Sequence, residues 1–325
     1  MIKKGLTENL EEYRNKIKIC VIVGPTASGK SSLAIWLAKQ INGEIISADS
    51  MQIYKGMDIG TAKPTAEEQK LVPHHMIDFL HQDELFSVAD YVKMAKKIIE
   101  DVVDRGKKPI LVGGTGLYVD SLLNGVQFQD QNENLAVRKK LFEELEQFGS
   151  EHMLDKLKKV DFEYAKTLHP NNIKRIIRGL EIYSATGMKM SDNLKLSKSV
   201  PSCFDACRIG LTFDNRENLY KRINDRVDDM IDSGLLEEAH CIINSSSSSH
   251  TSMQAIGYKE FIGYFNETES LDACISKLKQ NTRKYAKRQL TWFRRNKDIN
   301  WIYCDKLSDI DIKNKVIEIV NNHFK

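Results

Sequence analysis

No stretch of the 325 residues approaches the roughly 18 uninterrupted apolar positions of a membrane span, so a soluble chain is expected. The first eighteen residues carry charges where a secretory signal needs its apolar run. Their acidic side chains argue against an organellar transit peptide, and the expected location is the cytoplasm. The six cysteines, Cys20, Cys203, Cys207, Cys241, Cys274 and Cys304, form no CxxC. Only Cys203 and Cys207 are near each other, with no matching histidine pair downstream, so neither a disulfide framework nor a zinc site is indicated. Acidic residues are absent from Lys277 to Lys297, a segment that holds nine basic ones. Subtracting those nine from the formal net charge of +3 leaves the rest of the chain at −6. A mildly acidic body with one basic segment points to a localised polyanion contact.

What is present reads as globular. Hydrophobic residues make up 41% and charged ones 29% of the chain, and the length favours one large domain with an insertion, or two domains. Ile17 to Val23 reads as a strand, followed by a glycine loop and a helical pattern at Leu33, Ala34, Leu37, Ala38 and Ile41. A second strand, Glu44 to Ala48, ends in Asp49, and a third, Ile110 to Val112, ends in Gly113-Gly114-Thr115. Between them Tyr91, Val92, Ala95, Ile98, Ile99, Val102 and Val103 recur at helical spacing, stopped by Arg105 to Pro109. Strands alternating with helices predict a doubly wound parallel α/β sheet, with ligands gathered at the carboxyl ends of the strands.

From Asn124 the pattern becomes purely helical, with apolar positions from Val137 to Phe148 and from Ile173 to Tyr183. The chain rejoins the sheet near Arg208 to Asp214, and a further helix runs from Leu219 to Gly234. The expected organisation is an N-terminal extension at 1–16, a P-loop-like core at 17–123 and 205–325 with C-terminal basic helices, and an α-helical insertion domain at 124–204. Ser245 to Ser249 reads as a loop tip, and no solenoid-like repeat is present.

Gly24, Pro25, Thr26, Ala27, Ser28, Gly29, Lys30 and Ser31 fit GxxxxGKS/T between a strand and a helix, the context that gives this pattern meaning. Backbone N–H groups can surround phosphate oxygens there, Lys30 supplies a cation, and Ser31 offers a hydroxyl to Mg2+. The cradle does not specify which bond breaks. It serves phosphoryl transfer, but it can equally hold a diphosphate that leaves from carbon. Asp49 suits a magnesium shell or a general base, and its plainer account is a turn cap. Gly113-Gly114-Thr115 allows close backbone approach, or is an ordinary strand-to-helix turn. Arg222 and Arg226 lie one turn apart, suited to a diphosphate or to solvated pairing with Asp225 or Asp229. His74 and His75 lack a third metal ligand and read as structural. Lys284 to Arg295 interleaves bases with aromatics, as nucleic-acid contacts do, against the plainer reading of a charged helix face. Lys174, Arg175 and Arg178 add a second basic cluster.

In this combination the chain resembles the bacterial tRNA dimethylallyltransferases, over about Ile19 to Trp301. The resemblance is carried by the phosphate loop, by Asp49 to Pro64 (DSMQIYKGMDIGTAKP), by Gly113 to Tyr118 (GGTGLY) and by Lys287 to Arg294 (KRQLTWFR). It implies transfer of a dimethylallyl group from dimethylallyl diphosphate to the exocyclic N6 amine of the adenosine 3′ of the anticodon. The tRNAs would be those reading codons that begin with U, with Mg2+ required and diphosphate released. It further implies Asp49 as general base, Thr115 on the target adenosine, Ser31 near Mg2+, and Lys30 with Arg226 on the diphosphate. Implied tRNA contacts are Asp49, Ser50, Met51, Gln52, Thr115, Lys174, Arg175, Arg178, Lys287, Arg288, Gln289, Trp292 and Arg294. The stretch Gln254 to Lys259 joins them, although the family often has arginine where this chain has Gln254 and Lys259. A monomer and a flipped nucleotide are expected. The alternatives are a P-loop small-molecule kinase, which leaves the basic segment unexplained, and an RNA-binding NTPase that uses ATP as a switch without alkylating anything.

Overall fold

The computed structural model describes residues 16–125, 135–199, 202–245 and 252–325. Most of the expected extension at 1–16, the serine tip beyond Ser245, and residues 200–201 of the polar stretch lie outside them. In chain order the elements are β1 (Ile17–Val23), α1 (Lys30–Ile41), β2 (Gly43–Ser47), α2 (Ala66–Leu71), β3 (His74–His75), α3 (Val88–Asp104), β4 (Lys108–Gly113) and α4 (Gly116–Leu123). Next come α5 (Leu135–Val160), α6 (Phe162–Ala165), α7 (Ile173–Thr186) and α8 (Met190–Ser199). The chain continues with β5 (Phe204–Thr212), α9 (Arg216–Asp232), α10 (Leu235–Ser245), α11 (Ile262–Phe265), α12 (Leu271–Phe293), β6 (Ile299–Tyr303) and α13 (Asp309–Phe324). Two compact units result, one of 1–123 with 203–325 and the other of 124–202.

In the larger unit all six strands run parallel, in the order β3-β2-β4-β1-β5-β6. Both faces of the sheet are covered, which is why β1 is an unbroken apolar run from Ile19 to Val23. Its side chains still divide by alternation. Cys20 and Ile22 join Leu33, Leu37, Val316 and Val320 beneath α1 and α13, whereas Ile19, Val21 and Val23 join Tyr91, Ile99, Tyr118 and Leu122 beneath α3 and α4. This is the P-loop NTPase-like, doubly wound architecture expected from the strand–helix alternation. A third cluster sits beyond the sheet. There Ile53, Tyr54 and Met57 pack on Val227 of α9, Leu235 and Ala239 of α10, Tyr258, Phe261, and Leu278 of α12.

Sequence periodicity misses several short helices and, in the sheet unit, β3, β6 and α13. The edge strand β3 has only two residues, and β6 and α13 lie outside the motif-bearing segments. β5 also begins at Phe204, earlier than the expected Arg208. In the smaller unit the expected break at Gly149 is present as a left-handed residue (φ 81°) within α5. Leu141, Met153, Leu157, Ile176, Ile177 and Leu180 form that unit's own core. Among the described residues no helix is long and apolar enough to cross a membrane.

His75 and Glu44 explain the paired histidines. Glu44, at the start of β2, meets His75 Nε2 at 2.7 Å and accepts from Arg105 at 2.5 and 2.8 Å. His74 Nδ1 lies 2.8 Å from the Val72 carbonyl. The Arg105 guanidinium, helped by His75 and opposed by burial, holds the Glu44 carboxyl down to about 2. A carboxylate depressed in the folded state contributes stability above its unfolded pKa and loses it as pH falls through the folded value. Unfolding free energy is therefore expected to fall between about pH 4.5 and pH 2. Glu44→Gln should flatten that decline in urea titrations run across the window, and an unchanged pH dependence would assign the acid sensitivity elsewhere.

Candidate active site

The loop between β1 and α1 is built around close backbone approach. A Cβ on Gly24 would lie 2.6 Å from the Leu211 carbonyl oxygen, and φ there is +151°. Gly29 is left-handed (φ 89°) and forms the N-cap of α1 without a side-chain cap, and the first turn of the helix holds no acid. By contrast α3, α9 and α12 begin with Ser87, Asn215 and Ser270, whose side chains accept backbone N–H groups. The leading N–H groups of α1 are thus left to an external anion, with the helix dipole in support. Lys30 Nζ donates to the Pro25 carbonyl at 2.6 Å. Burial, reinforced by Arg226 and opposed by Asp49, lowers its ammonium to about 7.

Two further strand ends meet this loop. A Cβ on Gly113 would lie 2.2 Å from the Ala48 carbonyl oxygen, so β2 and β4 finish in near contact. This brings Thr115 to Ser50, whose N–H donates to Thr115 Oγ1 at 3.1 Å. Asp49 Oδ1 accepts from Met51 N at 2.9 Å and Gln52 N at 3.4 Å, so the turn-cap account of Asp49 holds for that oxygen. Asp49 nevertheless lines the cavity. Gln52 spends its amide inside the protein, accepting from Ser47 Oγ at 3.0 Å and donating to the Thr61 and Ala62 carbonyls at 3.2 and 3.1 Å.

The cavity, about 340 Å³, is shared by these parts. Thr26, Lys30, Ser31, Asp49 and Arg226 line it together with the apolar Ile223, Val227, Met230 and Leu278. Gly60, Gln254, Lys259, Tyr285, Arg288 and Gln289 line it as well. Arg226 is half-buried, and its cation is disfavoured by desolvation and by Arg222 while Asp49 favours it. Arg222 instead donates Nε–H to the Ala27 carbonyl at 2.9 Å and lies over the Phe213 ring. The solvated pairing of these arginines is not observed, since Asp225 binds Lys221 at 2.7 Å.

The basic helix α12 is less free than its sequence suggests, because acids from elsewhere in the fold reach it. Lys277 pairs with Glu269, Lys279 with Asp228, and Arg283 with the Asn224 amide. Lys287, Arg288 and Arg294 remain exposed. Arg288 lies over the Tyr285 ring at 5.5 Å. Trp292 donates to Asp120 at 2.6 Å and packs on Gly116, and Gln289 is buried, so both turn inward. In the smaller unit Lys174 and Arg175 are exposed, whereas Arg178 is held 3.0 Å from the buried Glu181.

Three site residues escape sequence reasoning. Tyr285 sits among the bases of α12. Its phenol is pushed up to about 12 by burial and then by the Asp49 charge, with Thr115 and Gln289 hydrogen bonds opposing. Glu238 accepts from three successive N–H groups, of Asp58, Ile59 and Gly60, at 2.8 to 3.0 Å, and from Tyr258 Oη at 2.7 Å. Tyr258 and Glu238 thereby hold the loop that forms one wall. The aromatic spacing near Lys284 hinted at Tyr285, and Tyr258 lies in the Gln254 to Lys259 stretch without a role assigned to it there; nothing local marked Glu238.

Comparison with known proteins bears on this geometry. The family profile described as IPP transferase matches residues 52–296. The tRNA dimethylallyltransferase of Halothermothrix orenii is 48% identical over 312 residues, 96% of this chain and 94% of that protein. That of Bacillus cereus is 50% identical over 284 residues, 87% of this chain and 89% of its own. Among solved structures, the tRNA isopentenylpyrophosphate transferase of Bacillus halodurans superposes with a TM-score of 0.70 at 42% identity, covering 95% of this chain and 98% of that one. A eukaryotic dimethylallyltransferase captured acting on tRNA gives 0.80 at 33% identity, covering 95% and 79%. The chain belongs to the IPP transferase family.

The wall loop yields a stability test. A Cβ on Gly60 would lie 2.7 Å from the Tyr258 hydroxyl, and Tyr258 is wholly buried and tied to Glu238. Gly60→Ala is expected to lower unfolding free energy by about 1–3 kcal/mol in urea titrations, the usual cost of overpacking a fixed site. A neutral result would mean that the tyrosine can give way.

Proposed function

We propose that this member of the IPP transferase family transfers a dimethylallyl group from dimethylallyl diphosphate to the N6 amine of the adenosine 3′ of a tRNA anticodon. The observation that carries the reading is one cavity in which an uncapped helix N-terminus with Lys30 and Arg226, an apolar wall and a carboxylate all converge. The diphosphate belongs on the backbone N–H groups and the two cations. The five-carbon group fits beside Ile223, Val227, Met230 and Leu278. A kinase could use the same cradle, and the names of the relatives favour the transferase.

In the reaction the N6 lone pair forms a bond to the first carbon of the prenyl chain while the bond from that carbon to the diphosphate oxygen breaks. An adenine amine is a weak nucleophile because its lone pair is delocalised, so its proton must leave as the new bond forms. Asp49 is the base assigned to take it. Its backbone bonds fall on Oδ1, and among the described residues nothing bonds Oδ2, which suits proton transfer. Lys30 and Arg226 stabilise the charge that develops on the departing diphosphate. Thr115, already joined to Ser50, is assigned to the target base. A stacked adenine cannot present its amine inside the cavity, so the nucleotide has to leave the stack.

Mg2+ belongs to this proposal. The cavity lining offers hard oxygens beside the cradle, among them the Ser31 hydroxyl. No cluster of three or more His, Cys, Asp or Glu occurs among the described residues. A sparse oxygen set of this kind fits Mg2+, which keeps water and takes ligands from substrate phosphates. When bound it would neutralise diphosphate charge. On the protein surface Lys287, Arg288, Arg294, Lys174 and Arg175 are assigned to tRNA phosphates, in a cytoplasmic, monomeric enzyme.

The direct test supplies Mg2+, labelled dimethylallyl diphosphate and unmodified tRNA, and follows label into RNA. Incorporation is expected, and ATP hydrolysis without incorporation would replace the transferase with an NTPase. Asp49→Ala should lower turnover about 10²-fold or more with tRNA affinity retained, the loss expected for a missing general base. Near-normal turnover would take Asp49 out of that role. Replacing Lys287, Arg288 and Arg294 together should make tRNA affinity less dependent on salt, by about one unit of log–log slope for each phosphate no longer neutralised. A slope unaltered by the triple change would return α12 to an ordinary solvated face.

A further inference from the structure

Gln289 lies within the segment that the family resemblance assigns to tRNA, yet its amide faces away from solvent. The residue is 5% exposed. Its Oε1 accepts from Thr26 N at 2.9 Å, and its Nε2 donates to the Gly114 carbonyl at 3.1 Å. The fit is tight, since a Cβ on Gly114 would fall 2.1 Å from Nε2. One side chain of α12 therefore ties the phosphate loop to the turn that follows β4.

The tie acts on a particular peptide unit. In a trans peptide the N–H of one residue and the C=O of the residue before it point in opposite directions. The N–H of the Pro25–Thr26 peptide is fastened to Gln289, and its C=O accepts from Lys30 Nζ at 2.6 Å. Fixing the first end aims the second at the lysine. Released from Gln289, the peptide would keep only the bonds at its carbonyl, from Lys30 and a long one from Ser28 N at 3.3 Å. It could then turn about ψ of Pro25 and φ of Thr26 to bring a carbonyl dipole against an incoming anion. Arg222 secures the carbonyl of Ala27, two residues further along the loop. The loop is thus clamped from α9 and α12 at two peptides with one between them.

We propose that Gln289 is a positioning residue for the diphosphate cradle: it locks the Pro25–Thr26 peptide and so sets the loop and Lys30 for anion binding, and it does not read the RNA. This rests on the phosphate-cradle reading given above. Because α12 also carries the exposed Lys287, Arg288 and Arg294, the surface assigned to tRNA and the cradle are joined by one hydrogen-bonded side chain. Methionine matches glutamine in length but offers the peptide neither acceptor nor donor, so Gln289→Met removes the lock while largely keeping the packing.

The test titrates inorganic pyrophosphate with Mg2+, and separately an unmodified anticodon stem-loop, into the full-length wild type and Q289M by calorimetry. Pyrophosphate affinity should weaken about tenfold, the effect of losing a buried hydrogen bond, while stem-loop affinity stays within about twofold. The KM for dimethylallyl diphosphate should rise by a similar factor. Unchanged pyrophosphate binding, or a loss confined to the stem-loop, overturns the proposal and makes Gln289 an RNA contact. Failure of the wild type itself to bind pyrophosphate removes the cradle reading and the proposal with it. A measurement on the unaltered protein guards against misfolding of the variant. The Thr26 amide should exchange with solvent deuterium as slowly as the amides of β1, and rapid exchange would show that the lock does not hold.

Discussion

Among the described residues lining the cavity, Lys30, Arg226, Lys259 and Arg288 are cationic and Asp49 alone is a carboxylate. This imbalance, in a partly desolvated space, is the constraint on which the rest of the site depends. Burial disfavours the ionised form of a cation, and like charges held close together add to the effect. Lys30 and Arg226 both show it. A fold that gathers cations in this way stores a deficit that a dianionic or trianionic ligand relieves. The uncapped start of α1 adds to that deficit, because its N–H groups have no protein partner at the cap.

Holding such a site open requires rigid surroundings, and several distant side chains supply them. Gln289 and Arg222 fix the Pro25–Thr26 and Ala27–Ser28 peptides of the phosphate loop from two helices. Glu238 and Tyr258 hold the opposite wall through three consecutive N–H groups. Gln52 and Lys63 brace the same loop from below, with Lys63 Nζ reaching the Tyr54 carbonyl, Asp58 and Asp78. Each of these polar groups is satisfied inside the protein, so the preorganisation rests on hydrogen bonds that the unliganded molecule already makes.

Several residues that a motif would assign to ligand are thereby shared between framework and chemistry. Asp49 caps a turn with one oxygen and lines the cavity. Trp292, which in sequence resembles a stacking platform, is anchored to Asp120 and packed on Gly116. Arg178, on the insertion, is drawn to the buried Glu181. The basic segment from Lys277 to Lys297 contains no acid in sequence, yet its first half finds acids from α9 and from the loop before α12. Among the described residues the exposed cations with no acidic partner lie toward its carboxyl end.

The parts legible in the sequence are those whose partners are chain neighbours. The phosphate loop, the strand–helix alternation and the break at Gly149 follow from backbone conformation and side-chain period, which a few consecutive residues determine. Short or edge elements such as β3 and β6 were not legible, because two to five residues at a sheet edge carry little period-2 signal. The side chains that aim the cradle were decided by tertiary structure. Thr26 and Gln289 are 263 positions apart, and Arg222 and Ala27 are 195 apart. Nothing local to Gln289, Arg222, Glu238 or Tyr285 distinguishes a group on a solvated helix face from one that fixes a peptide in the cavity. That distinction is made by the packing of α9, α10 and α12 around the carboxyl ends of the strands, which brings remote donors and acceptors within hydrogen-bond distance.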